Sequence, residues 1–353
     1  MRKLVILGGG YGGLAIIQGL LDDHLPEDIE MILVDRMPFQ GLKTEYYALA
    51  AGTATDLELR VSFPKHPQLT IKYGEIASID LEGRQVLMEQ SEDIIYDYLI
   101  IALGCTDRYH GIEGAEQFTS SIQSFSNTRK TYQQLNDVRP YGQVNIIGGG
   151  LSGVEMVSEL RESRPDLNIA ILDRHSRILS SFPSKLSIYV EHWFQTHDVD
   201  TRFQVSVDRV EDGGIYNGSE IIMSDVTVWT AGIQPVRVVQ DLQVAKDPGG
   251  RIILNSYSQI AEHPDVYVIG DCASLPLAPS AQAAGAQAEQ VAEVIHSLWR
   301  GDTPKLHPLR LKGTLGALGK KAGFGLMGNK AVLGRVPRLL KSGVLWMSKR
   351  HLG

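Results

Sequence analysis

"VILGGGYGGL", residues 5–14, is a short apolar run that passes straight into glycine, and residues 145–154, "NIIGGGLSGV", nearly repeat it. Gly8, Gly10 and Gly13 satisfy G-x-G-x-x-G, and so do Gly148, Gly150 and Gly153. In such a turn the first glycine permits the sharp bend. The second lets backbone N–H groups approach a pyrophosphate, and the third allows the following helix to pack closely on its strand. The flanks repeat as well. "KLVILGG", "GGLAIIQGLLDD" and "EMILVDR" read strand, helix, strand, and "QVNIIGG", "SGVEMVSELRES" and "NIAILDR" read the same way from Gln143 to Arg174. Each second strand ends in a carboxylate, Asp35 and Asp173, 22 and 20 residues after the third glycine. A carboxylate there can accept hydrogen bonds from the ribose hydroxyls of an adenosine. Each copy therefore predicts a βαβ unit that binds one dinucleotide.

Continuous apolar runs fit parallel strands buried on both faces. The expected class is α/β, with two Rossmann-like doubly wound dinucleotide-binding domains. After the first unit, "LTIKYGEIASIDLEGRQVLM" alternates like an antiparallel meander and is followed by the strand "IIYDYLIIALGC". After the second, "TRFQVSVDRVEDGGIYNGSEIIMSDVTVWTAGIQP" repeats the plan. "PDVYVIGDCAS" reads as a further buried strand, and "SAQAAGAQAEQVAEVIHSLWRG" as a helix ended by Gly301. The expected boundaries are a discontinuous first domain, 1–115 with 250–305, a second domain, 116–249, and a basic extension, 306–353.

The 353 residues, 43% hydrophobic and 21% charged, are ordinary for a globular chain too long for one core. The two cysteines, Cys105 and Cys272, form neither a CxxC nor a metal spacing, which fits a reducing compartment. With no signal-peptide pattern and no run of 18 apolar residues, the expected location is cytoplasmic. The ten histidines show no HxxxH or HExxH spacing, so no metal site is expected. Charge is uneven. Residues 303–353 carry eleven Lys and Arg and no acid, leaving 23 basic against 41 acidic residues elsewhere, a balance of −18. A basic tail on an acidic body points to an anionic surface.

The doubled fingerprint resembles the flavoprotein group with paired FAD and NAD(P) domains. That resemblance implies FAD at the first turn and NADH at the second. "IIALG" (100–104) and "VTVWTAGIQP" (226–235) are similar to that group's linking motifs, which places Gly104 and Gly232 among the cofactor contacts. "VYVIGD" (266–271) resembles its second FAD signature and implies Asp271 on the flavin ribitol. Within the group the chain resembles the type II NADH dehydrogenases, single-chain NADH:quinone oxidoreductases. Four stretches carry this likeness: "YYALAAGTA" (46–54), "FPSKLSIYVEHWF" (182–194), "APSAQAAGAQA" (278–288) and "LKGTLGALGKKAGFG" (311–325). The resemblance implies a quinone acceptor facing Gln282. Where the family often has two adjacent glutamines, Ala286 replaces one and Gln287 remains. Glu155 matches a family glutamate near the nicotinamide amide; the first helical turn also favours an acid on its own account. Asp173 disfavours a 2′-phosphate and hence favours NADH, while Arg174, His175 and Arg177 keep NADPH open. Tyr46 and Tyr47 are either flavin neighbours or packing residues.

Disulfide reductases need a CxxxxC pair soon after the second strand, and residues 36–60 contain no cysteine. Both cysteines therefore read as packing residues, and the implied chemistry is hydride transfer from NADH to flavin, then two electrons to quinone. Soluble NAD(P)H oxidation with another acceptor, or a low-turnover redox-sensing flavoprotein, are the alternatives. In the tail, "RVPRLLKSGVLWMSKRHL" (335–352) places Val336, Leu339, Leu340, Val344 and Met347 on one helical face. Arg338, Lys341 and Lys349 lie mostly off it, with Trp346 as an interfacial aromatic. This predicts peripheral docking on the inner face of the cell membrane, an anionic surface, or else a homodimer contact. The family generally continues past this point, whereas this sequence stops at Gly353. No aromatic stacking platform accompanies the basic residues, so nucleic acid is not an expected partner.

Overall fold

The structure, a computed structural model, describes residues 1–22 and 25–351, without the side chains of 347, 348, 350 and 351. The helices among the described residues are α1 (Tyr11–Asp22), α2 (Tyr46–Ala50), α3 (Ala115–Phe118), α4 (Phe125–Asp137), α5 (Leu151–Ser163), α6 (Ser184–Thr196), α7 (Arg237–Gln240), α8 (Ala281–Trp299) and α9 (Arg335–His351).

Two α/β sheets carry the two glycine turns, as the duplication predicts. In the first, the strand Arg2–Leu7 lies between Ile29–Asp35 and Tyr98–Ile101 and is parallel to both. Because the strand order reverses there, a crevice opens at its carboxyl end, where Gly8 begins the turn. His263–Val268 adds parallel to Tyr98–Ile101, so residues on both sides of the second unit share one sheet. In the second sheet Gln143–Ile147 holds the equivalent place between Asn168–Leu172 and Val226–Trp229. Val5, Ile6, Leu7, Val144 and Ile146 are fully buried, as continuous apolar strands require.

The meanders differ from expectation at their first strands. Leu69–Tyr73 pairs parallel with Ile29–Asp35, and Val199–Arg202 pairs parallel with Asn168–Leu172. Each is an edge strand of its large sheet, and only the following three strands form the antiparallel meander. An edge strand with one wetted face alternates in the same way as a meander strand, so periodicity could not separate them.

The C-terminal segment is more than a loose extension. Thr314–Leu318, Ala322–Met327 and Lys330–Gly334 form an antiparallel sheet. Ala317, Leu318 and Phe324 join the core that holds Val154, Met156 and Leu160 of α5. Glycines permit this contact: a Cβ on Gly316 would meet the Leu151 side chain at 2.8 Å, and one on Gly323 would meet the Arg338 backbone nitrogen at 2.9 Å. Helix α9 caps this sheet. Val336, Leu339 and Leu340 face outward and are exposed, whereas Arg338 and Lys341 turn inward to carboxylates of the body. The expectation that these two cations serve an external anionic surface is therefore corrected: burial of the carboxylates draws them inside. The side chain of Met347 lies outside the described part.

Trp229, buried at the end of the strand Val226–Trp229, donates from Nε1 to the Arg108 carbonyl at 3.1 Å and packs against Tyr109. It fastens the second sheet to the segment that enters it. Trp229→Phe should lower the unfolding free energy by about 2–4 kcal/mol in urea titrations, since one hydrogen bond is lost and the smaller ring leaves a cavity in the core.

Candidate active site

The two turns have one design. Gly8 and Gly148 have φ of +97° and +112°, a region that favours glycine. A Cβ on Gly13 would lie 1.8 Å from the Gly8 carbonyl oxygen, and one on Gly153 would lie 1.9 Å from that of Gly148. At Gly10 and Gly150 nothing lies within 4 Å of such a Cβ, which leaves open space in front of each helix N-terminus. The carboxylates secure the turns: the N–H groups of Gly9 and Met37 donate to Asp35 at 2.6 and 2.7 Å. The N–H groups of Gly149 and His175 donate to Asp173 at the same two distances. Each carboxylate so held ends beside an open, donor-lined helix start, the chemistry that a ribose and pyrophosphate require.

Arg177, which the sequence left open to a 2′-phosphate, is committed elsewhere. Its guanidinium donates to the carbonyls of Leu179, Ser180 and Phe182 and to the Ser187 hydroxyl. It shapes the loop before α6.

Antiparallel strands Cys105–Asp107 and Ile233–Pro235 join the two units. Gly104 and Gly232 precede them with φ of +71° and +142°. Asp271 lies in the helical turn Gly270–Cys272, and the Cys105 thiol donates to it at 3.0 Å. Lys43 donates to the Cys105 carbonyl at 3.2 Å. Burial pushes the Cys105 thiol up to about 12 and the Cys272 thiol well up too, so neither supplies a thiolate at neutral pH. Asp107, in the same strand as Cys105, and Gln40, paired with Val61, are each 2% exposed. One carboxylate oxygen of Asp107 and both amide heteroatoms of Gln40 have no partner among the described residues. Buried polar atoms left unpartnered in this way fit a polar ligand.

The glutamines separate. Gln282, exposed at the start of α8, accepts from the Lys312 N–H at 2.8 Å. Gln287 is fully buried; it accepts from Gly270 N–H at 2.8 Å and donates to the Ser258 hydroxyl and Val268 carbonyl. Its assignment as a quinone contact is corrected, because the side chain is buried with its carbonyl on the Asp271 turn and its amide N–H groups on Ser258 and Val268. Glu155 is buried between α5, Ala317 and α9. It accepts from the Ala317 N–H at 2.8 Å and forms an ion pair with Lys341. Tyr47 donates to Glu45 at 3.0 Å in the same cluster, while Tyr46 packs edge-on against Phe125. Sequence reasoning missed Lys43, Glu45, Asp107 and the inward role of Lys341. None stands in a motif, and only the fold brings them to the cradles.

A family model described as pyridine nucleotide-disulphide oxidoreductase matches residues 2–288. The chain belongs to that family. This agrees with the expected pyridine nucleotide. The chain is 53% identical to the NADH dehydrogenase-like protein YutJ of Bacillus subtilis, over the full length of both. It is 23% identical to a type II NADH:quinone oxidoreductase of Staphylococcus epidermidis, covering 96% of this chain and 93% of that one. The fold matches the structure of NDH2 from Plasmodium falciparum in complex with NADH, with a TM-score of 0.86 at 15% identity, covering 99% and 96% of the two chains. The protein is thus an NADH dehydrogenase-like member of this oxidoreductase family, related to the type II enzymes. Among the described residues no group of three or more His, Cys, Asp or Glu is placed to hold a metal ion.

Two consequences can be measured. Gly153→Ala should destroy the second turn while the first keeps its ligand, read as loss of nicotinamide-nucleotide binding with bound chromophore retained. Burial raises the Asp107 carboxyl to about 6. A carboxyl raised on folding is best tolerated when protonated, so its penalty is absent below about pH 4 and complete above about pH 6. Asp107→Asn in the ligand-free protein should match wild type at pH 4 and gain up to about 3 kcal/mol by pH 7 in chemical denaturation.

Proposed function

We propose that this protein is an FAD-dependent NADH dehydrogenase that delivers electrons to a membrane quinone. The observation that carries the reading is the pair of like glycine cradles, each with its anchored carboxylate, joined by antiparallel strands. Bound FAD would supply a two-electron acceptor for the hydride of NADH, reoxidised by the quinone. Gly8, Gly10, Gly13 and Asp35 would hold its adenosine and pyrophosphate, with Gly104 and Asp271 at the flavin end. Gly148, Gly150, Gly153, Asp173 and Gly232 would hold NADH. Asp173 presents a carboxylate where NADPH would place its 2′-phosphate, and Arg177 offers no counter-charge, so NADH is the preferred donor. No thiol takes part, because both cysteines are buried and protonated.

Gln282, exposed at the start of α8, is the remaining candidate for the quinone side. No helix among the described residues is long and apolar enough to cross a membrane. Access to quinone would come through the outward face of α9, where Val336 and Leu339 are 61% and 70% exposed. Apolar side chains set there would enter the interfacial layer of the inner leaflet. The burial of Gln287 and the alanine at 286 favour a second reading, NADH oxidation with a soluble acceptor.

Stopped-flow mixing decides between them. NADH should bleach the protein's flavin absorbance faster than NADPH does, and a soluble quinone should restore it; bleaching without recovery by quinone selects the second reading. Asp173→Asn should weaken NADH use roughly tenfold with flavin retained, the size expected for one charge-assisted contact. Flotation with anionic liposomes tests docking: wild type should float, and Val336→Glu/Leu339→Glu should remain at the bottom.

A further inference from the structure

Three carboxylates of the body are buried close together: Glu45 at 6%, Glu155 at 5% and Glu159 at 2% exposure. Among the described ion pairs, the cations that meet them both belong to α9. Lys341 pairs with Glu155, lies 3.6 Å from Glu45 and donates to the Tyr47 hydroxyl at 2.7 Å. Its ammonium also sits 4.5 Å from the centre of the Tyr47 ring. Arg338 lies 4.0 Å from Glu159, which accepts a hydrogen bond from the Thr53 hydroxyl at 2.6 Å. Carboxylates so grouped away from water cannot all stay ionised without cations among them.

A buried ion pair is a poor device for stability alone, so its position is informative. Glu155 stands two residues beyond Gly153, on the helix that opens at the second cradle. Glu45 stands two residues beyond Lys43, which reaches Cys105 and through it Asp271 of the first. Lys341, from a third part of the chain, thus bridges Glu155, on the helix behind the second cradle, and Glu45, close in the chain to a residue that serves the first. Building on the dehydrogenase reading, we propose that Lys341 is a positioning residue for hydride transfer: it holds Glu155 in place and charged where the two cofactors meet, so that transfer requires α9 to be seated.

The groups facing Glu155 are Lys341 from α9, Glu45 and Tyr47 beside it, and the Ala317 N–H from the C-terminal sheet. Burial pushes its carboxyl up and Lys341 pulls it back. Without the ammonium it rises further. A Lys341→Met deficit should therefore be small where Glu155 is protonated and grow as pH rises.

Lys341→Met and Lys341→Arg, purified with flavin retained, test this in two ways. The midpoint temperature of Lys341→Met should fall by roughly 5 °C at pH 8 and by less than about 1 °C at pH 5. Flavin bleaching by NADH at pH 7 should slow at least about tenfold, with the acidic limb of its rate profile moved to higher pH, and Lys341→Arg should restore it to within about threefold. An equal loss of midpoint at both pH values, or bleaching at the wild-type rate and pH profile, would overturn the proposal and leave the dehydrogenase reading intact. Failure of NADH to bleach the wild type would overturn both.

Discussion

The structure depends on two places where a helix comes so close to its own strand that no side chain fits between them. At Gly13 and Gly153 even a methyl group would overlap the carbonyl oxygen of the first glycine of the turn. That closeness aims the N-termini of α1 and α5 at the crevice of each sheet. It also lets one carboxylate, Asp35 or Asp173, bind the middle of the turn through a backbone N–H. The cradle is therefore made mostly of backbone, with its donors set before any ligand arrives. Preorganised dipoles of this kind favour a phosphate without a cost of reorganisation. Built twice and joined by the strands after Gly104 and Gly232, the same element can bring two dinucleotides together.

The third component is electrostatic. An acidic body and a basic tail invite the idea of attraction to something outside the molecule. Part of that attraction is satisfied within it, because Lys341 and Arg338 face Glu155, Glu45 and Glu159. The helix consequently shows Val336, Leu339 and Leu340 to the outside and turns Arg338 and Lys341 to the inside, an inversion of the usual surface-helix pattern along that part of its length. The C-terminal sheet beneath it shares the core of α5, so the tail is structurally continuous with the second dinucleotide unit.

Much of this was legible in the sequence because backbone requirements leave a fixed residue signature. Only glycine fits at positions 8, 13, 148 and 153 of the turns, and a continuous apolar strand suits a sheet covered on both faces, so both units and both carboxylates could be read directly. Leu69–Tyr73 and Val199–Arg202 could not be placed, because alternation reports a half-wet strand without saying which sheet it borders. Gln287 carried a family pattern, yet its burial and three bonds depend on Ser258, Val268 and Gly270, which the fold brings beside α8. Lys341 is the clearest limit. Its inward turn depends on carboxylates 186 and 296 positions away in the chain, and no local pattern encodes them.

The central claim is that both cradles are filled at once on one chain. Native mass spectrometry of the protein purified with its flavin and titrated with NADH under anaerobic conditions tests it directly. The account predicts one flavin dinucleotide and one nicotinamide dinucleotide per chain at saturation. A single dinucleotide per chain, with the two competing for it, would contradict the account.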